Sequence, residues 1–281
     1  MGCGNNNITT PADMERAQQD KMIETNLARI KRKILVMSGK GGVGKSTVAS
    51  YLALLLSKKG YKVGLLDVDL HGPSVPNMIK VQGGLEMPEK GIVRPYSFSE
   101  NLGIVSMGML LSDQDAAVIW RGPLKISAIR QFISDIDWGD LDFLVVDSPP
   151  GTGDEPLTVA QTIPDADAVI VTTPQEVSLA DVRKSINFCR QVKMNILGVV
   201  ENMSGFSCPH CGEKAAIFGE GGAAAMSSQM EVPLLGEIPI DPKMVQMADN
   251  GGLNGLMEIP DLEINRAYEE ILGRIVEKGR S

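Results

Sequence analysis

The sequence predicts an α/β fold: a mostly parallel sheet of about seven or eight strands with helices on both faces. Three observations predict it. Short, wholly apolar runs alternate with longer stretches of helical spacing along most of the chain. Two of those runs end in aspartate, Val63–Leu66 before Asp67 and Phe143–Val146 before Asp147, at the strand end where open parallel sheets carry their ligand-facing residues. A glycine-rich loop separates the first apolar run, Ile34–Met37, from the apolar stretch Val48–Leu56.

The elements follow in order. Residues 1–32 read as an N-terminal tail leading into a short helix, and residues 33–281 as one domain. In the tail, Met22, Ile23, Leu27 and Ile30 are spaced like an amphipathic helix, and Lys31-Arg32-Lys33 reads as a solvated basic turn. After the first strand and helix, strands are expected at Val63–Leu66, Gly103–Met107, Phe143–Val146, Ala168–Val171, Ile196–Val200 and Pro233–Ile238. Helices are expected from Pro123 to Ile136, Ser178 to Lys193 and Leu262 to Lys278, and Gln82–Pro95 as an irregular insertion.

Composition narrows the function classes. A chain of 281 residues with net charge −8 and no large basic cluster is not expected to bind nucleic acid, which needs grouped Lys and Arg to neutralise phosphates. No apolar run approaches a membrane span, and the first twenty residues are not signal-like, so a cytoplasmic protein is expected. Gly2 does not begin a myristoylation motif, because Asn6 stands where Ser or Thr is required. The last helix carries Glu263, Glu269, Glu270 and Glu277 on its polar face, so it is expected to pack on the sheet rather than lie on a membrane. The four cysteines, Cys3, Cys189, Cys208 and Cys211, fit a reducing compartment better than a disulfide framework.

Gly39-Lys40-Gly41-Gly42-Val43-Gly44-Lys45-Ser46-Thr47 matches G-x-x-x-x-G-K-[ST] in its strand, loop and helix setting. Its glycines let backbone N–H groups converge on phosphate at a helix N-terminus. Lys45 can reach the β- and γ-phosphates, and the Ser46 hydroxyl can ligate Mg²⁺. Asp147 is placed to hold that Mg²⁺, and the following Ser148-Pro149-Pro150-Gly151-Thr152-Gly153-Asp154 has the glycines of a γ-phosphate switch.

Cys208-Pro209-His210-Cys211-Gly212 offers two thiolates at C-x-x-C spacing, too few for a tetrahedral site. A twofold axis would supply four thiolates, enough for a [4Fe–4S] cluster or zinc. A redox dithiol and an ordinary loop remain open, and His210 is a poorly placed third ligand. His71 falls on a mobile loop rather than in a catalytic set, and Cys189 reads as a buried apolar residue.

The lysine at position 40 makes the loop resemble the deviant loop of the dimeric ATPases that include MinD, ParA and the nitrogenase iron protein. The ordered set of this loop, Asp67-Val68-Asp69 with Gly72-Pro73-Ser74, Trp120-Arg121-Gly122-Pro123, the switch from Asp147, and C-P-x-C-G resembles the Mrp/ApbC family of ATP-dependent iron–sulfur cluster carriers. The likeness runs from about Lys33 to Asp241. It implies a homodimer closed by ATP through Lys40, an attacking water oriented by Asp69, and a Mg²⁺ shell supported by Asp67. It implies adenine contacts at Asn202, Pro239, Ile240 and Asp241, and a cluster bridged by Cys208 and Cys211 of two chains. Apo iron–sulfur proteins and cluster scaffold proteins are the implied partners. With only Cys3 near its start, the chain departs from the eukaryotic branch that carries a four-cysteine N-terminal cluster. A spatial-organisation ATPase and a zinc scaffold with weak ATPase activity are the alternatives.

Overall fold

The computed structural model describes residues 11–69, 72–81, 84–85, 91–110 and 122–278. His71, Trp120, Arg121 and Cys3, named above, lie outside them. The central strands are apolar at nearly every position because both faces of a parallel sheet are covered. In β1 (Ile30–Ser38), Ile34 and Val36 face one core while Leu35 and Met37 face the other, and β5 (Leu141–Asp147) and β6 (Asp167–Thr172) repeat the alternation. β2 is Val63–Asp67, β3 Tyr96–Ser99, β4 Leu102–Ser106, β7 Ile196–Ser207, β8 Lys214–Ala215 and β9 Leu234–Ile240.

Among the described residues the sheet has nine strands, in the order β3-β4-β2-β5-β1-β6-β7, with β8 and β9 both paired to β7. The β3–β4 and β7–β8 pairs are antiparallel and the rest parallel. β3 and β8 are the additions to the expected set; they are too short and too exposed to carry an apolar run.

One face of the sheet is covered by α2 (Lys45–Lys58), α3 (Val75–Ile79), α8 (Pro242–Asp249) and α9 (Glu263–Lys278). The other is covered by α1 (Pro11–Leu27), α4 (Gly122–Asp135), α5 (Asp154–Thr162), α6 (Glu176–Gln191) and α7 (Gly222–Gln229). The apolar positions read from the last helix, Ile264, Tyr268, Ile271, Leu272 and Ile275, are all buried in α9, so its stripe is sheet-facing. No described helix is long and apolar enough to cross a membrane.

The N-terminal region departs from expectation in two ways. The helix is longer than the spacing suggested and ends at Leu27; Ile23 and Leu27 are buried, Met22 is exposed, and Ile30 already belongs to β1. Asn26 fixes this helix to its neighbour, its Nδ2 donating to Ser134 O at 3.1 Å and Ile136 O at 3.0 Å. Lys31-Arg32-Lys33 is strand, not a solvated turn. The Lys33 ammonium is buried and donates to Asp165 Oδ2 at 2.6 Å, and the Arg32 guanidinium lies 5.4 Å from the Phe143 ring centroid. Long basic side chains lay their stems along apolar surface and keep their heads on oxygen, which lets them occupy an edge of the core.

Candidate nucleotide site and cysteine knuckle

Parallel register brings the site residues to one edge. Asp147 ends β5 opposite Val36 of β1 on one side and Asp67 of β2 on the other. The loop leaves β1 at Ser38, whose Oγ donates to Lys40 O at 2.9 Å, and enters α2 at Lys45. Gly44, at φ 82°, is the residue before the helix and offers no side-chain cap. The first-turn N–H groups of α2 are therefore left for an anion. The switch after β5 is tied to β1, with Ser148 N donating to Val36 O at 3.1 Å and Gly151 N to Ser38 O at 2.8 Å.

These elements enclose a cavity of about 990 Å³. Residues 40–42 and 44–47 line its floor, and Asn202, Pro239, Ile240 and Asp241 line the facing wall. Asp69 also lines it. Gly39 and Val43 do not. Gly39 faces α6, where an added Cβ would lie 2.5 Å from the Asp181 carbonyl carbon, and the Val43 side chain is buried in the core. Val43 contributes its carbonyl, which accepts from Asn202 Nδ2 at 2.9 Å. One Asn202 N–H is thus bonded to the loop, and the residue still lines the cavity. Asp241 caps α8, accepting from Lys243 N at 2.7 Å.

Under the floor lies a buried charge cluster. Lys45 Nζ donates to Asp147 Oδ1 at 2.5 Å and stands 3.3 Å from Ser46 Oγ. Asp67 accepts from Ser106 Oγ at 2.9 Å and from Asp69 N at 3.1 Å. Burial, with the neighbouring Asp147 charge, pushes the Asp67 carboxyl up to about 8. Burial pushes the Asp147 carboxyl up as well, against the pull of the Lys45 ammonium. Asp147 Oδ2 is buried and has no hydrogen-bond partner among the described residues. An orphaned carboxylate oxygen beside a serine hydroxyl, at the foot of an anion-binding loop, fits a hard divalent cation. Lys40 is half-exposed at the cavity mouth and makes no ion pair among the described residues.

Cys208 and Cys211 stand apart from this cluster, just past the end of β7. Cys208 N donates to Glu213 O at 2.9 Å and Gly212 N to Cys208 O at 2.8 Å, which closes the knuckle. Cys208 is half-buried and Cys211 exposed. The backbone N–H groups of Cys211 and His210 point at the Cys208 sulfur and hold its thiol below the ordinary value. No group of three His, Cys, Asp or Glu able to hold a metal occurs among the described residues, so His210 does not complete the pair. Cys189 is fully buried beside Met37, Sγ to Sδ 3.7 Å, and burial raises its thiol to about 12.

Residues that sequence reasoning missed complete the site. Met203, Ile217 and Phe218 line the cavity, as do Met78 and Met244 from α3 and α8. Nothing local marks them, because they reach the cavity from separate elements.

A family model described as ParA, NUBPL iron-transfer P-loop NTPase, matches residues 29–276. The chain belongs to this family. An iron-sulfur cluster carrier protein of Methanocaldococcus jannaschii is 46% identical over 277 residues, covering 98% of this chain and 94% of that relative. The cytosolic Fe-S cluster assembly factor CFD1 of Saccharomyces cerevisiae is 50% identical over 233 residues, covering 80% and 79%. Among solved structures, a nucleotide-binding protein from Archaeoglobus fulgidus in complex with ADP superposes with TM-score 0.74 at 39% identity, covering 87% of this chain and 98% of that one. The cell division ATPase MinD of Pyrococcus furiosus, at 22% identity and TM-score 0.63, shares the fold with this NUBPL-type chain.

Proposed function

We infer that this chain is an ATP-hydrolysing carrier that holds an iron–sulfur cluster between two copies of itself and delivers it to apo-proteins. The observation that carries the reading is the pairing, along β7 and the turn that follows it, of a phosphate-loop cavity with a C-x-x-C pair that has no further ligand among the described residues. Two thiols per chain fit a cargo shared across a twofold axis, and four thiolates are the ligand set of a [4Fe–4S] cluster. The names of the carrier and assembly-factor relatives support the same cargo.

In this reading the ATPase domain expected from residue 33 extends back through the rest of β1 and takes in α1, which packs on it. The loop N–H groups and Lys45 bind the β- and γ-phosphates, and the wall at Asn202, Pro239 and Asp241 takes the base. Ser46 and Asp147 would hold Mg²⁺, with Asp67 supporting them from below; the ion would supply neutralisation of the phosphate charge. Asp69 orients water for in-line attack, which breaks the bond from the γ-phosphorus to the bridging oxygen and leaves ADP and phosphate. Lys40 reaches the partner's nucleotide. Cluster scaffold proteins load the carrier and apo iron–sulfur proteins receive from it.

Anaerobic reconstitution with iron and sulfide tests this. A broad visible absorbance, lost in Cys208→Ala and accompanied by a dimer, is expected. A colourless protein that retains stoichiometric zinc overturns it.

A further inference from the structure

The knuckle that carries Cys208 and Cys211 stands on two stems, and both return to the wall of the nucleotide cavity. The incoming stem is β7. Its Asn202 is bonded to the phosphate loop at Val43 O, and Met203, the next residue, lines the cavity. The outgoing stem is β8, paired to β7 through Phe206–Ala215 and Ser207–Lys214. Two residues beyond it, Ile217 and Phe218 line the same cavity. The cysteines therefore sit at the tip of a short hairpin whose two feet stand where a nucleotide would lie.

The incoming foot is also irregular. Against β9, Asn202 pairs with Ile238 and Phe206 with Ile240, so β7 advances four residues while its partner advances two. The surplus is taken up where Met203, at φ 59°, and Gly205, at φ 79°, adopt left-handed backbone. Left-handed backbone at a methionine is held only where its surroundings impose it. Here they include Glu201, a fully buried carboxylate whose Oε1 accepts from Ser204 Oγ at 2.7 Å and whose Oε2 accepts from Ala223 N at 2.8 Å. Neither the phosphate floor nor the thiols use Glu201; it clamps the bulge.

The geometry points to Met203, Ile217 and Phe218 as positioning residues through which occupancy of the nucleotide cavity sets the placement of Cys208 and Cys211. A ligand shifts a conformational equilibrium only by contacts that differ between the two states. Ile217, 54% exposed at the rim, gains burial when a nucleotide fills the cavity, and that gain biases the outgoing foot. The bulge lets the incoming foot follow without disturbing the parallel pairing from Ile196 to Asn202. The inference rests on the carrier reading for the identity of the load, while the linkage itself is measurable without a load.

The test is the alkylation rate of Cys208 and Cys211 by iodoacetamide in reduced, cluster-free full-length protein, with and without a non-hydrolysable ATP analogue and Mg²⁺. Each variant is measured at nucleotide saturating for that variant. A coupled pair of sites is expected to show a rate difference of about fivefold or more. The difference is expected to collapse in Met203→Ala/Phe218→Ala and in Ile217→Ser, the latter an exposed replacement that spares the core. It is expected to persist in Lys40→Ala, where closure across a dimer is removed. Equal rates in the unaltered chain, a difference that survives in both variants, or one that vanishes in Lys40→Ala, overturns the linkage. A nucleotide-dependent rate in a chain that takes up no cluster on reconstitution sustains the linkage and removes the carrier reading instead.

Discussion

Asp147 shows how much a single position concentrates. It closes β5, receives the Lys45 ammonium on one oxygen and leaves the other buried without a partner among the described residues. Replacing it by Asn keeps the shape and removes the charge. Asp147→Asn is expected to raise the Mg²⁺ concentration for half-maximal ATP hydrolysis by about tenfold or more, read from a Mg²⁺ titration of phosphate release. The three described cysteines separate as sharply. Cys208 is held below the ordinary thiol value by backbone N–H groups, and burial holds Cys189 at about 12. A lowered value means more thiolate at a given pH. Mass spectrometry after brief alkylation of reduced, cluster-free protein is therefore expected to find Cys208 modified at a pH where free thiols are largely unreactive, and Cys189 unmodified until the protein is denatured. Early modification of Cys189 would contradict its placement beside Met37.

Among the elements, α1 is the one whose role least resembles its sequence pattern. Its few apolar positions suggested only a short amphipathic helix behind a tail, yet α1 runs from Pro11 to Leu27, and Ile23 and Leu27 enter the core with Ile129, Phe132 and Ile133 of α4. Asn26 ties off the carbonyls of Ser134 and Ile136 at the end of that helix. Asn26→Ala leaves both carbonyls without this donor and is expected to lower unfolding stability by about 1–3 kcal/mol in urea denaturation, with the m-value unchanged. No loss would mean that α1 is not integral to the fold. The same contrast holds for Lys31-Arg32-Lys33. Charge alone reads as solvent, and only the arrival of Asp165 beside Lys33 and of Phe143 beside Arg32 makes a strand of it.

At the scale of the whole molecule, the question is how two half-sites become whole. The cavity is open at Lys40, and the cysteine pair is two ligands short of a tetrahedral set. The twofold assembly proposed above would supply both. The rate of ATP hydrolysis per chain is then expected to rise with protein concentration, and Lys40→Ala to lower the plateau by about 10²-fold, the usual effect of removing one preorganised charge from a transition state. A rate per chain independent of concentration, with Lys40→Ala fully active, would refute a role in the partner's site.

The sequence by itself determined the alternating α/β order, the phosphate loop, an aspartate at each of two strand ends and the paired cysteines. Each of these is a local pattern: apolar runs set by burial on both faces, glycines set by backbone approach to phosphate, thiols set by spacing. Only the tertiary structure decided what lies between them. The antiparallel edges β3 and β8 are too short to leave a periodic trace. Asn202 lines the cavity and also bonds the phosphate loop at Val43 O, a contact that no motif announces. Gly39 looked like part of the cradle and instead lets α6 pack against the loop. Met203, Ile217, Phe218 and Glu201 carry no motif at all. Their meaning comes from β7 running out of the sheet past the nucleotide cavity and folding back to it, a long-range arrangement fixed by strand register and core packing rather than by any neighbour in sequence.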